Sequence, residues 1–336
     1  MSERKLIVLR DRADAQRVIG ALGVGVEVST HLDAHPPILF VRSAGVVDRA
    51  SPGIVAVLDE PPEYPLSSRE LVPGRTVVDV SGVSIGGDAI VVVAGPCSVE
   101  SLEQLVTIAA AVRAAGAVMV RGGAFKPRTS PYTFQGLGLE GLRLLREVRS
   151  STGMPVVTEV MSVEDIELVS GSVDCLQVGA RSMQNFALLK ALGKVDKPVL
   201  LKRGFGCTVR ELLGSAEHIL SAGNPSVILC ERGIRTFESS MRFTFDLGAI
   251  ALLKQLTHLP VLADPSHAAG DPRLVPALAR GAIAAGADGL LLEVHAEPAA
   301  ALSDGEQALT PGAFRALMDG LAPVAAAVGR KLLTLG

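Results

Sequence analysis

Short apolar runs recur along most of this chain, each followed by a polar or glycine-containing break and then an amphipathic stretch. The runs are Ile90–Ala94, Val118–Arg121, Pro155–Glu159, Asp174–Gly179, Pro198–Lys202, Ser226–Cys230, Pro260–Asp264 and Gly289–Glu293. Length and composition predict short strands of a buried parallel sheet. Between them, Ser101–Ala115, Leu139–Ser150, Val209–Ala222 and Arg273–Ala285 carry apolar residues at helical spacing. Ser101 and Glu103 make a helix start at the first of these. Eight strand–helix units in succession predict a (β/α)8 barrel in preference to an open doubly wound sheet.

The rhythm differs before residue 70. Lys5–Leu9 reads as a strand, Ala13–Leu22 as a helix, and Val26–Ser29, Ile38–Val41 and Ile54–Leu58 as further strands. This is the pattern of a small α+β ferredoxin-like domain, expected over residues 1–66. The second helix such a module requires is short, with room for about two turns between Val41 and Ile54 and an interruption at Pro52-Gly53. A proline-rich segment, Glu60 to Ser68, reads as a linker that lets the module move as a unit. The catalytic barrel is expected over residues 67–336, with a short hairpin at Val77–Ile85 before its first strand.

Composition narrows the class. The 336 residues carry a formal net charge of −3, no Trp and two Tyr, which speaks against nucleic-acid stacking platforms. No apolar run reaches the ~18 residues of a membrane span, and the charged start leads into an apolar stretch too short for a signal-peptide core. Cys97, Cys175, Cys207 and Cys230 lie far apart and read as reduced thiols of a cytoplasmic protein.

Charge placement then becomes informative. Arg121-Gly-Gly-Ala-Phe-Lys126-Pro-Arg128-Thr129-Ser130 sets three cations and two hydroxyls just beyond an apolar strand. The same event recurs at Arg181, at Lys202-Arg203 and at Arg232. In a barrel these positions share one rim, so they form an anion-binding mouth and not a diffuse basic surface. A second set is mixed: Cys97 ends the first barrel strand, His267 follows the seventh, Glu293 ends the eighth, and Asp304 sits in the loop after it. Barrel closure would bring thiolate, imidazole and two carboxylates to one arc, a set able to hold a divalent transition metal. Gly136-Leu-Gly-Leu-Glu-Gly141 matches a dinucleotide fingerprint, but its strand ends about fifteen residues too early for that motif.

At these residues the sequence resembles the 3-deoxy-D-arabino-heptulosonate-7-phosphate (DAHP) synthases, the first enzymes of the shikimate pathway, in their metal-dependent barrel type with an N-terminal ferredoxin-like extension. The likeness runs from about Ser68 to Leu333 through GPCSVES, RGGAFKPRTSPYTFQGLG, QVGARSMQNF, LLKRG, ILCERGIRTFE, DPSHAAG and LLEVHAEP. It implies that phosphoenolpyruvate, erythrose 4-phosphate and water give the seven-carbon product and phosphate. Cys97, His267, Glu293 and Asp304 would ligate one Mn, Fe, Co or Zn per subunit. Arg121, Lys126, Arg181, Lys202 and Arg232, with the backbone of Gly179 and Ala180, would bind phosphoenolpyruvate. Arg128 and Thr129 would hold the phosphate of erythrose 4-phosphate, and Asp304 would bind the same substrate. Cys97, His267 and Lys126 would be the catalytic groups, with Lys126 either moving a proton near the aldehyde or acting electrostatically. The resemblance also implies a homo-oligomer, a tetramer, and inhibition through the extension by tyrosine or phenylalanine.

Two alternatives stand beside it. The 3-deoxy-manno-octulosonate-8-phosphate synthases share the barrel and use arabinose 5-phosphate, but read Lys-Ala-Asn-Arg-Ser where this chain has Lys126-Pro-Arg-Thr129; the shorter spacing suits the shorter aldose. A non-catalytic, amino-acid-sensing barrel would not need a cation or ligand at every strand end.

Overall fold

The structure, a computed structural model, describes residues 3–23, 26–43, 47–126, 130 and 132–335. Strands β1 (Glu3–Leu9), β2 (Glu27–His31), β3 (Ile38–Ser43) and β4 (Ile54–Leu58), with helix α1 (Ala15–Ala21), make an antiparallel sheet of order β2-β3-β1-β4. Strand alternation sends Ile7, Leu9, Leu39 and Val41 toward α1, and Leu6, Val8 and Ile38 into the core of the following barrel. Between β3 and β4 the expected short helix is absent among the described residues: 47–53 form turns, as Pro52 and Gly53 favour. The segment that reads as a linker is not loose at its end. Pro65, Leu66 and Ser67 are buried, the Glu217 carboxylate accepts from the Leu66 and Ser67 amides at 2.8 and 3.0 Å, and His258 contacts the Leu66 carbonyl at 2.7 Å.

A hairpin, β5 (Val78–Val80) and β6 (Val83–Ile85), precedes the barrel. The barrel strands are β7 (Ala89–Gly95), β8 (Met119–Arg121), β9 (Val156–Glu159), β10 (Cys175–Val178), β11 (Val199–Lys202), β12 (Val227–Glu231), β13 (Val261–Ala263) and β14 (Gly289–Glu293). Each pairs in parallel with the next, and β14 closes on β7. The outer helices are α2 (Leu102–Ala114), α3 (Leu139–Thr152), α4 (Ile166–Ser170), α5 (Phe186–Leu192), α6 (Val209–Leu220), α7 (Leu247–Leu256), α9 (Val275–Ala284) and α10 (Pro311–Ala327), while the short α8 (Pro265–Ala269) sits at the rim. Strand β15 (Lys331–Leu332) adds to the edge of β7.

Alternation along the barrel strands decides what faces the lumen. Val91, Val93, Met119, Val157, Cys175, Leu200, Ile228, Cys230, Leu262 and Leu291 form an inner apolar layer, and Val78, Val80, Val83 and Ile85 of the hairpin seal its lower end. Two residues further along those strands, the inward positions become Arg121, Glu159, Gln177, Lys202, Arg232, Asp264 and Glu293. Arg203, one residue past Lys202, therefore points away from the lumen, and its guanidinium pairs with Glu231 at 2.8 Å and Asp246 at 3.0 Å.

Candidate active site at the barrel mouth

A cavity of about 330 Å3 opens above the apolar layer. Arg121, Lys126, Glu159, Gln177, Gly179, Ala180, Arg181, Lys202, Arg232, Arg242, His267 and Asp304 are among the residues that line it. The cations expected at the mouth thus converge, except that Arg203 serves a buried ion pair instead. Arg128 and Thr129 lie outside the described residues. Gly179 leaves room where a Cβ would stand 2.1 Å from Glu159 Oε1, so the cavity wall is drawn in against that carboxylate.

Two guanidinium groups are buried without full hydrogen bonding. Arg121 is 4% exposed and Arg232 3%, yet Nε and Nη1 of Arg121 and Nη1 of Arg232 have no hydrogen-bond partner. Buried donors are ordinarily satisfied; here both side chains line the cavity, and Arg121 Nη1 stands 3.2 Å from Glu293 Oε1 in a buried ion pair. Arg232 lies over Phe243 and Phe205, 4.2 and 4.9 Å from the ring centroids, and the two rings stack at 5.2 Å. Burial pushes the Arg232 value down to about 10, with Asp264 opposing, so it remains a cation at neutral pH. Lys202 lines the cavity but also pairs with buried Asp264 at 2.6 Å. Arg181 is exposed, with its guanidinium 5.2 Å from the Phe205 ring.

Beside these cations Cys97, His267, Glu293 and Asp304 present ligand atoms that all lie within 4.8 Å of one another. His267 is carried by α8, which Asp264 caps by accepting from the His267 amide at 3.0 Å. The same carboxylate meets His267 Nδ1 at 2.7 Å, which fixes the ring and turns Nε2 toward the cluster, the arrangement usual around metal-bound imidazole. Glu293 is fully buried, and its Oε1 makes no well-aligned hydrogen bond but stands 3.2 Å from both Arg121 Nη1 and His267 Nε2. Asp304 adopts a left-handed backbone conformation, φ 49°, uncommon away from glycine. Its loop is anchored by Ser98 Oγ to Ser303 Oγ at 2.7 Å and by Glu100, which accepts from the Leu302 amide at 2.9 Å. Lys126 Nζ lies 2.9 Å from Cys97 Sγ.

The charge states suit a cation. Burial, with Glu293 adding, pushes the Cys97 thiol up to about 12, while burial brings His267 down to about 4. A thiol so placed ionises only when a cation arrives, and a neutral imidazole is ready to coordinate. Burial opposes ionisation of Asp304, but Arg242 and His267 hold it down to about 2. The four residues fit a divalent transition metal.

The whole barrel matches one known family. A family model described as the DAHP synthetase I family matches residues 66–325. The chain belongs to the DAHP synthetase I family. It is 49% identical over 269 residues, 80% of either chain, to a phospho-2-dehydro-3-deoxyheptonate aldolase of Thermotoga maritima. A crystal structure of the DAHP synthase of that organism covers 98% of this chain and 100% of its own, with a TM-score of 0.81 at 41% identity. Likeness to a 2-dehydro-3-deoxyphosphooctonate aldolase of Koribacter versatilis is lower, 32% over 270 residues, 74% of this chain and 96% of that one.

Sequence reasoning missed several residues here, among them Glu159, Gln177, Arg242 and Gln307. Glu159 and Gln177 line the cavity, and their signal was available: both sit at inward positions of barrel strands. Arg242 and Gln307 lie on loops, where no period marks which side chains turn inward. The glycines of the apparent dinucleotide motif have a packing role, since a Cβ on Gly136 would stand 2.2 Å from the Ala124 carbonyl.

Proposed function

We propose that this barrel mouth condenses phosphoenolpyruvate with erythrose 4-phosphate and water, releasing phosphate and the seven-carbon keto-acid phosphate, at the head of the shikimate route to chorismate and the aromatic amino acids. One observation carries the reading: the buried guanidinium groups of Arg121 and Arg232 share a cavity with a thiol–imidazole–dicarboxylate cluster. Phosphoenolpyruvate bears two anionic groups on three carbons, and Arg121, Lys126, Arg181, Lys202 and Arg232, with backbone from Gly179 and Ala180, are assigned to them. Arg128 and Thr129 are assigned to the phosphate of the aldose. A divalent metal held by Cys97, His267, Glu293 and Asp304, one of Mn, Fe, Co or Zn, would supply Lewis acidity to the acceptor aldehyde.

C3 of phosphoenolpyruvate attacks the aldehyde carbon, and the fixed cations stabilise charge as the enol phosphate gives up its electrons. Lys126 delivers a proton to the aldehyde oxygen. Water adds at C2, and phosphate leaves from the resulting adduct. The need for a reduced Cys97 suits a cytoplasmic setting.

The test is phosphate release from phosphoenolpyruvate with erythrose 4-phosphate or arabinose 5-phosphate, with and without chelator. Release with the four-carbon aldose alone, abolished by chelator and restored by metal, is expected. Preference for arabinose 5-phosphate would overturn the substrate assignment. Arg128→Ala should raise the KM for erythrose 4-phosphate roughly 10²-fold, a charge-assisted pair to phosphate being lost, and leave the KM for phosphoenolpyruvate nearly unchanged.

Residues 1–66 are assigned to regulation by tyrosine or phenylalanine, with the subunits assembled as a homotetramer. A hollow in the sheet lined by Arg4, Glu27, Val28, Ser29, His31, Phe40 and Arg42 supports this, since it offers cations for a carboxylate, an anion for an ammonium and an aromatic surface. Absence of any response of the full chain to either amino acid would remove the regulatory role, and light scattering tests the assembly.

A further inference from the structure

Arg242 lies on a loop and Gln307 ends a single 3-10 turn, Gly305–Gln307, yet together they reach the outer side of two members of the metal-ligand cluster. Gln307 is 1% exposed. Its Nε2 donates to Glu293 Oε2, and its Oε1 accepts from Arg242 Nη1. The amide is the right group between these two, because it carries a donor for the carboxylate and an acceptor for the guanidinium. With Oε2 taken, Oε1 is the Glu293 oxygen turned to the cluster, 3.2 Å from His267 Nε2 and 3.2 Å from Arg121 Nη1.

The other end of the same guanidinium repeats the device. Arg242 Nη2 stands 3.6 Å from Asp304 Oδ1, while Oδ2 is the oxygen that meets Cys97 Sγ, at 3.2 Å. Arg242 is fixed where it enters the site. Its amide donates to the Ala269 carbonyl at 3.3 Å, and its side chain crosses Gly270, where an added Cβ would lie 2.6 Å from Arg242 Cβ. Gly270 ends α8, the helix that carries His267. Each carboxylate therefore has one oxygen facing the relay and one facing the cluster. A thiolate and two carboxylates around a dication leave an excess negative charge, which a nearby guanidinium offsets.

We propose that Arg242 and Gln307 are positioning residues that select which oxygen of Glu293 and of Asp304 coordinates the metal, and so set metal affinity. The inference rests on the metal reading above. It goes beyond it by assigning the ligand geometry to two residues that are not ligands. Outer contacts of this kind typically change metal affinity 10- to 100-fold.

The test is titration of the metal-free full-length protein with Co2+, without substrate, by calorimetry and by the thiolate-to-cobalt absorption band. Wild-type binding that Cys97→Ala abolishes establishes the site; wild type without binding, or Cys97→Ala binding as wild type does, overturns the metal reading and this inference with it. Given the site, Gln307→Met and Arg242→Met should each weaken Co2+ roughly 10- to 100-fold, with a shifted absorption band. The double variant should be weaker than either single one but by less than the product of the two losses, because each residue holds a different carboxylate while the two are bonded to each other. Single-variant affinities within twofold of wild type and an unshifted absorption band would overturn the proposal. Arg242 is partly exposed and its replacement leaves the core intact, so that variant carries the test even where Gln307→Met fails to fold. Substrate contacts made by Arg242 do not enter, since no substrate is present.

Discussion

The two ends of the barrel lumen are built from the same strands and the same inward-facing rows, yet they have opposite characters. At the lower end the rows carry Val91, Val93, Met119, Val157, Leu200, Ile228, Leu262 and Leu291, closed by the hairpin valines and Ile85. One inward step higher they carry Arg121, Glu159, Lys202, Arg232, Asp264 and Glu293. The lower layer is satisfied by contact alone, so it can be close-packed and dry. The upper layer holds buried charged groups whose hydrogen bonding is incomplete, Arg121, Arg232 and Glu293, with Arg121 Nη1 3.2 Å from Glu293 Oε1. Such groups cost stability. The lower layer makes that cost tolerable and holds the upper one in place.

The comparison breaks most visibly at the cluster. Cys97→Ala should remove metal and lower turnover by roughly three orders of magnitude or more, the several kcal/mol a Lewis acid contributes, with little change in the melting temperature of the metal-free protein. Full turnover in metal-free Cys97→Ala would sink the assignment. At the other end Leu291→Ala should cost about 2–5 kcal/mol of stability as a buried cavity opens, read as a lower denaturation midpoint, while the KM for phosphoenolpyruvate stays close to wild type. A large KM change there would mean that the two layers are not separable. Arg232→Ala should do the reverse, raising that KM about 10²-fold through loss of a charge-assisted contact and leaving stability unchanged or improved.

The smallest expected effect lies away from both ends, where the N-terminal segment meets α6. Burial pushes the Glu217 carboxyl from 4.5 up to about 7, against the Leu66 and Ser67 amides that favour its charged form. A folded value above the unfolded one means that the fold favours the neutral acid. That contribution is intact below about pH 4.5 and is lost as pH rises through about 7. Stability should therefore fall by on the order of 1–3 kcal/mol across that window, and Glu217→Gln should flatten the profile without altering either KM. A wild-type profile that is flat or rising through the same window would show that the two amides outweigh burial.

Much of this was legible in the chain, for physical reasons. Eight apolar runs divided by helical stretches admit few arrangements, because a strand buried on both faces needs helices outside it, and the observed strands agree with those runs to within a residue or two at most ends. Cations that follow such strands had to share a rim once the barrel closed. The same rule also misled: Arg203 sits beside Lys202 in the sequence, but neighbours on a strand face opposite sides, and a local reading of charge does not see that. The proline-rich stretch before the barrel looked mobile by composition, whereas Glu217 and His258, remote in sequence, pin its end.

The sequence by itself determined the barrel, the cation-lined mouth and the four candidate ligands, since these follow from period, strand order and residue chemistry along one dimension. Only the tertiary structure decided which oxygen of Glu293 is held back by Gln307 and that Arg242 spans to Asp304. It also decided that buried Arg121 meets Glu293 Oε1 at 3.2 Å and that Arg232 Nη1 is buried without a hydrogen bond. Those are properties of loops and of side-chain pairs far apart in the chain. Loop residues follow no period, and a hydrogen bond is satisfied or left open only by what the rest of the fold brings within about 3 Å of it.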